Sequence, residues 1–379
     1  MSKGFITFFA LLLMGSIRPD EKGRMFIDAP FRPDAAAKTT KVLINFMDSV
    51  PDDTLTIYFS ATSQPEAFSR NIYTAVCIDS LCRPVDITLY WEVTGKYIGY
   101  SLPPGEELTK REHVPFLESD YKRLSEILSD STSQLGFYSP EEIHPKKQVV
   151  KKSDGITGAT LPDLSPWIVP EAAYTSYTIW HLTYGVTRDS IMNYTKKHLL
   201  SNQLLTNTLQ NMDPYNQIIA LRWISESDMD NRQFIEPAIT MLHSENYQSS
   251  RQALKFLKHC SLIDKEHLQI EVIKLLESEE FRIKNLAIEY IRESEKLTRP
   301  VAQELMKLIN NDNYYLVNVI LLLLEKRYNF DYEDQLKLCT LLDSKNENVA
   351  NRVYYFLLNL PVQSSDLKKQ LNRYQKKIQ

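Results

Sequence analysis

Apolar positions alternate with polar ones along much of the first half of the chain and recur at a helical period in the second. From about residue 211 the helical pattern repeats. Ala220, Ala253, Ala287, Ile320 and Val353 are separated by steps of 33, 34, 33 and 33, and Ile224, Leu257, Ile291, Leu324 and Leu357 each follow by four residues. A second set, Leu242, Leu276, Ile309 and Leu342, keeps steps of 34, 33 and 33. Each unit therefore predicts two apolar helical segments joined by polar residues such as Asp228–Asn231, Asp264–Lys265 or Ser294–Lys296. Helix pairs of this kind bury their apolar faces only by stacking on the next pair, so residues 205–379 are expected to form an all-α solenoid of about five units. Its last unit has a polar, basic end: Lys368, Lys369, Arg373, Lys376 and Lys377.

The first half reads differently. Val42, Ile44 and Phe46, then Leu55, Ile57 and Phe59, alternate with polar residues and predict strands within 41–60. Thr74–Val76 and Val85–Trp91 predict further strands; in the latter, odd and even positions face opposite ways. Gly95 then turns the chain, Tyr97–Ser101 returns as a hairpin partner, and Pro103-Pro104-Gly105 ends the sheet segment. Leu117, Tyr121, Leu124 and Leu128 form one face of an amphipathic helix over Phe116–Leu128, with Ser119 and Asp120 placed to cap or charge its first turn. Between Pro170, at an expected first helical position, and Gly185, at an expected stop, Ala173, Tyr177, Trp180 and Tyr184 form an aromatic stripe. Such a stripe is ordinarily core; its other reading is that a ring of the stripe, Tyr177, stacks on a planar cofactor. His181 borders the stripe and reads as an ordinary core or surface histidine. The fold class expected for the whole chain is α+β: a strand-rich α+β domain over 41–200, after an N-terminal extension at 17–40, followed by the helical repeats.

Composition adds little to this picture, but it narrows function. Hydrophobic residues make up 43% and charged residues 24%, ordinary for a folded protein, and the net charge of −4 gives no electrostatic ground for a nucleic-acid partner. Lys3, the apolar run Phe5–Met14 and then Gly15-Ser16 have the layout of a secretory signal over residues 1–16. Export to the periplasm or cell envelope follows, with the run serving as an N-terminal anchor if it is not cleaved. Cys77 and Cys82 bracket four residues, and in an exported chain they make either a structural disulfide or two buried free thiols. A zinc site there would need two more ligands, which no nearby Cys or His pair supplies. Cys260 and Cys339 fall within apolar helical patterns and read as core.

The stretch richest in chemistry is Asp154-Gly155-Ile156-Thr157-Gly158-Ala159-Thr160. Two glycines permit positive φ and close backbone approach, and two hydroxyls and a carboxylate surround the turn, a composition that can meet a phosphate. The string resembles the flavinylation motif, Asp-x-x-(Ser/Thr)-Gly-Ala-Thr, of FMN-binding domains such as those of the sodium-translocating quinone reductase and the Rnf complexes. The resemblance implies FMN held through a phosphoester to Thr160, with Asp154, Thr157, Gly158 and Ala159 as recognition residues. It also implies installation by a separate flavin transferase that uses magnesium only during attachment. Lys146, Lys147, Lys151 and Lys152 precede the motif, where they either attract an anionic phosphate or form a solvated face. Lys110 and His113 lie in a loop-like stretch from which cationic or titratable groups can reach a cleft. The helical units, for their part, resemble short HEAT-type repeats and lack the Trp-Leu-Gly pattern of tetratricopeptides.

No Gly-x-Ser-x-Gly, His-Glu-x-x-His, Walker loop or dinucleotide fingerprint occurs, and no catalytic residue or resident metal site is assigned. The reading is an exported electron-transfer flavoprotein without substrate turnover of its own. The repeats would dock a protein partner, a membrane or periplasmic redox protein. The other reading is an exported scaffold whose flavin motif does not function.

Overall fold

In a computed structural model, which describes residues 23–28, 30–48, 50–51, 53–76, 84–143, 164–211, 213–227, 231–309, 313–360 and 364–378, the chain divides into units Met1–Leu204 and Leu205–Gln379. The architecture is α+β. Strands β1 (Arg24–Ile27), β2 (Lys38–Leu43), β3 (Thr54–Phe59), β4 (Pro65–Thr74), β5 (Val85–Glu92) and β6 (Tyr97–Leu102) make one sheet in the order β1-β6-β5-β4-β3-β2. Every pairing in it is antiparallel.

Alternation decides which side of the sheet is covered. In β5, Val85, Ile87, Leu89 and Trp91 are buried while Asp86 and Thr88 reach the other face. Leu55 and Ile57 from β3, Phe68 and Ile72 from β4, and Tyr100 and Leu102 from β6 share the buried side. Helix α1 (Glu118–Ser129) brings Tyr121, Leu124 and Leu128 to this core, and α3 (Ala173–Tyr184) brings Tyr177, Ile179 and Trp180. The short α2 (Pro140–Ile143) and α4 (Val186–Tyr194) add Ile143 and Ile191. A smaller cluster of Tyr58, Ala67, Tyr90 and Ile98 forms on the opposite face, with Ile27, Phe31 and Ala36 laid against it.

Two strand expectations need correction. The strand expected at Thr74–Val76 ends at Thr74, and its body is β4, which begins at Pro65. Arg70 hid it: on the buried face of β4, where alternation calls for an apolar residue, the chain places a guanidinium that is 0% exposed. Its Nη1 and Nη2 donate to the two carboxylate oxygens of Asp48 at 2.6 and 3.0 Å, Nη1 also donates to Thr187 Oγ1 at 2.8 Å, and the group stacks 3.7 Å from the Phe46 ring centre. β1 was not expected either; it lies within the polar stretch 17–40 and pairs with β6. The helix expected from Pro170 begins instead at Ala173, and Gly185 ends it. Gly95 turns the β5–β6 hairpin with φ +77°, a conformation that favours glycine.

Beyond α5 (Asn202–Gln210) the second unit is helical: α6 (Pro214–Ser225), α7 (Ile235–Leu242), α8 (Tyr247–His259), α9 (Lys265–Lys274), α10 (Phe281–Arg292), α11 (Arg299–Lys307), α12 (Tyr314–Leu324), α13 (Tyr332–Cys339), α14 (Glu347–Leu358) and α15 (Ser365–Ile378). α6, α8, α10, α12 and α14 each pack on the next in that series. Ala220, Ala253, Ala287, Ile320 and Val353, and the residues four beyond each, are all 0% exposed. Cys260 and Cys339 are buried free thiols, and burial pushes the Cys339 thiol up to about 11.

Helices α6, α8, α10, α12 and α14 start alike. Asp213, Asn246, Glu280, Asn313 and Asn346 each occupy the N-cap, and each side chain accepts from a backbone N–H of the first turn. Asn246→Ala or Asn346→Ala is expected to lower stability by about 1 kcal/mol each, because two first-turn amides lose their acceptor. Asn→Asp at either position should restore it. Urea unfolding followed by the helical circular-dichroism signal reads both.

Candidate functional site

Residues 154–160, and with them Asp154, Thr157, Gly158, Ala159 and Thr160, lie outside the described residues. The four preceding lysines, Cys77, Cys82 and the N-terminal apolar run do so as well. The described chain borders the motif-bearing segment at buried Ile143 on one side and at Leu164 on the other. Past Leu164, Trp167 and Ile168 pack on the sheet core and Val169 is fully buried. Val169 N–H donates to Ser176 Oγ at 2.9 Å, that hydroxyl donates to Ala172 O at 3.0 Å, and Arg123 Nη2 donates to Pro166 O. Both borders of the segment are thus anchored to one hydrophobic core.

The aromatic stripe on α3 has a definite task in this region. The chain from the end of α1 to residue 138 has little regular structure of its own, so its carbonyls need partners. α3 supplies them: Tyr184 Oη donates to Leu128 O at 2.6 Å, Trp180 Nε1 to Asp130 O at 2.9 Å, and Tyr177 Oη to Tyr138 O at 3.0 Å. His181 Nε2 lies 3.1 Å from Leu135 O. A carbonyl only accepts, so this nitrogen carries the proton. Burial pulls the His181 pKa below its usual value, more than the carbonyl contact raises it, which keeps the ring neutral. Gly136 is required here: a Cβ would come within 2.9 Å of the Trp180 ring. Ring centres run from Tyr174 to Tyr177 at 6.4 Å, Tyr177 to His181 at 4.1 Å, His181 to Trp180 at 5.1 Å and Trp180 to Tyr184 at 4.9 Å. Tyr177 is buried within that row, so the described residues show its ring covered by protein.

Lys110 and His113 separate in the structure. Lys110 Nζ lies 2.8 Å from Asp120 Oδ2, with both side chains nearly covered. The same carboxylate oxygen accepts from Leu117 N–H at 2.7 Å and closes the first turn of α1. Burial alone would raise the Asp120 pKa; the bonds from Lys110 and Leu117 outweigh it and hold the carboxyl below its usual range. Lys110 is therefore engaged in fixing α1. His113 is exposed, in a 3₁₀ turn with φ 62°.

Sequence reasoning found the stripe and missed its partners, since backbone acceptors leave no mark in the residue string. Among the described residues no group of three or more His, Cys, Asp or Glu side chains is arranged to hold a metal, and no helix is long and apolar enough to cross a membrane. In the helical unit the residue nearest to a charge relay is Glu271. It accepts from His243 Nε2 at 2.8 Å and Lys274 Nζ at 2.7 Å beside a cleft of about 560 Å³. The carboxylate, bonded to both donors, ties His243 at the end of α7 to α9. No protein-family model matches the sequence, and no curated protein matches it.

Proposed function

We propose that this chain is an exported electron-transfer flavoprotein carrying FMN on Thr160 through a phosphoester, with its helical repeats docking a redox partner. The observation that carries the reading is the Asp154–Thr160 heptapeptide. Thr160 would supply the ester oxygen, Asp154 and Thr157 would flank it, and Gly158 and Ala159 would leave backbone amides open to the phosphate. The flavin, once attached, supplies one- and two-electron chemistry; the chain's part is to hold, orient and shield it. A covalent bond suits an exported carrier, because a cofactor that cannot dissociate is not lost outside the cytoplasm. The anchored borders of the segment support the reading in one respect. They tie the chain on either side of the acceptor segment to a packed core, which would restrict where the flavin can go.

In the same proposal the helical unit is a HEAT-like solenoid. Its support is the period of 33 to 34 residues, which the buried positions and the N-caps both follow. Extended stacks of helix pairs suit recognition of a protein partner, here a membrane or periplasmic redox protein.

Intact mass tests the proposal. The chain produced with a flavin transferase and magnesium is expected to gain the mass of FMN less water and to fluoresce in a denaturing gel. Thr160→Val is expected to lose both signals while keeping the wild-type unfolding curve. A wild-type chain that stays unmodified beside an active transferase overturns the flavoprotein reading and leaves an exported scaffold with a non-functional motif.

A further inference from the structure

Helix α15 carries its charge on one side. At roughly 100° per residue, Leu367, Leu371 and Tyr374 fall on one narrow face, Lys369, Arg373 and Lys376 fall on the opposite side, and Lys368 and Lys377 lie at its two edges. The structure realises this split: the three apolar side chains are buried in the core shared with α14 and α13, and all five cations are exposed. The sole acid on the helix, Asp366, lies 3.7 Å from Lys369, with both side chains mostly in water. Among the described residues, Lys368, Arg373, Lys376 and Lys377 face no carboxylate at ion-pair distance, although Lys377 lies 5.9 Å from the Tyr374 ring centre. In a chain of net charge −4, this is a concentrated cationic surface.

Such density has an electrostatic cost, because like charges spaced three and four residues apart on a helix repel one another. A polyanionic surface relieves that repulsion. Its chemistry can be narrowed further. Protein interfaces rest on buried aromatic or apolar anchors and are depleted in lysine at their centres. The outward face of α15 offers no such anchor, since its leucines and tyrosine are already spent on the core. Four of its five cations are lysines, compact point charges on long flexible stems rather than the planar forks that read a specific carboxylate or phosphate. The helix itself presents no exposed ring for bases to stack on, as single-stranded nucleic acids require; the exposed Tyr332 meets it only at Asp366, at its first turn. A surface with charge alone and no shape fits lipid headgroups.

We propose that the outward face of α15 docks on an anionic lipid bilayer, with Lys368, Lys369, Arg373, Lys376 and Lys377 lying against its headgroups. The helix rests on the surface and does not insert, because Leu367, Leu371 and Tyr374 stay in the protein core and only Ile378, at its end, is exposed. This inference stands apart from the flavin and holds whether or not Thr160 is modified.

Vesicle flotation tests it on the full chain. Binding to phosphatidylcholine vesicles containing phosphatidylglycerol is expected to exceed binding to phosphatidylcholine alone and to fall steeply as salt rises. Each cation changed to glutamine should weaken the phosphatidylglycerol-dependent part by about fivefold, the factor expected for one basic residue at a charged membrane. All five are exposed, so the five-fold glutamine variant should fold, which its unfolding curve checks. Arg373→Lys should bind as the wild type does, because only charge counts. The proposal is overturned if the five-fold variant floats as well as the wild type or if binding ignores salt. It is likewise overturned if the chain binds phosphate-matched duplex DNA or an acidic protein more tightly than it binds the vesicles at equal charge.

Discussion

Asp48→Asn is expected to destabilise the sheet-containing unit by about 3 kcal/mol, the range found when one partner of a buried pair is removed. The reason is the burial of Arg70, whose side chain is 0% exposed on the face of β4 that packs against the core. With Asp48 neutralised, the guanidinium keeps its bond to Thr187 Oγ1 and its stacking on Phe46, but its charge, buried in an apolar layer, loses the Asp48 carboxylate. The pH dependence follows from the carboxyl. Burial alone would raise the Asp48 pKa, but the bond and charge of Arg70 and the Val50 amide more than reverse this and hold it below its usual 3.8. A carboxyl with a lowered folded pKa contributes stability that is fully present above its unfolded pKa and is lost as pH falls through the folded one. Wild-type stability should therefore drop on acidification below about pH 4, and Asp48→Asn should flatten that limb. Urea unfolding across the acid range measures both effects. The double variant Arg70→Met/Asp48→Leu is expected to recover much of the loss, since a well-packed apolar pair can stand in for a buried ionic one.

Trp91→Ala should cost more, about 3–5 kcal/mol, the usual range for deleting a fully buried large aromatic. Trp91 is 0% exposed on β5, and its indole Nε1 donates to Thr183 O at 3.0 Å in the last turn of α3. Carbonyls at a helix end lack intrahelical partners, so this bond supplies one of the acceptors' missing donors while tying sheet to helix. Trp91→Phe separates the two contributions. It keeps most of the apolar volume and leaves the Thr183 carbonyl without its donor, for a loss of about 1–2 kcal/mol. Denaturant midpoints for the two variants give the comparison. An alanine variant as stable as the phenylalanine one would mean that the ring contributes little packing there.

Periodicity made most of the fold legible. Val85–Trp91 alternates cleanly because nothing polar intrudes on its buried side, and the helical units repeat because each must present the same small or branched residue to its neighbour. β4 was obscured for the opposite reason, a charge on the covered face whose counter-charge sits over twenty residues earlier and leaves no local pattern. The capping residues Asp213, Asn246, Glu280, Asn313 and Asn346 were visible in the same period as the apolar set, and reading the polar register would have placed each helix start. The heptapeptide at 154–160 stands out in the sequence alone. The neutral His181 and the carbonyls bound by the α3 stripe were not, because both arise from long-range packing.

Strand order carries a consequence for assembly. β2 through β6 are neighbours in space in the same succession as along the chain, so this part of the sheet can form by adding each strand to the one before it. β1 alone joins across a large separation, with Arg24 opposite Leu102. Its docking must wait until the far side of the meander exists, and it closes the longest loop in the sheet. The opening strand is therefore the last to be stitched in, and the first to come loose when the unit frays.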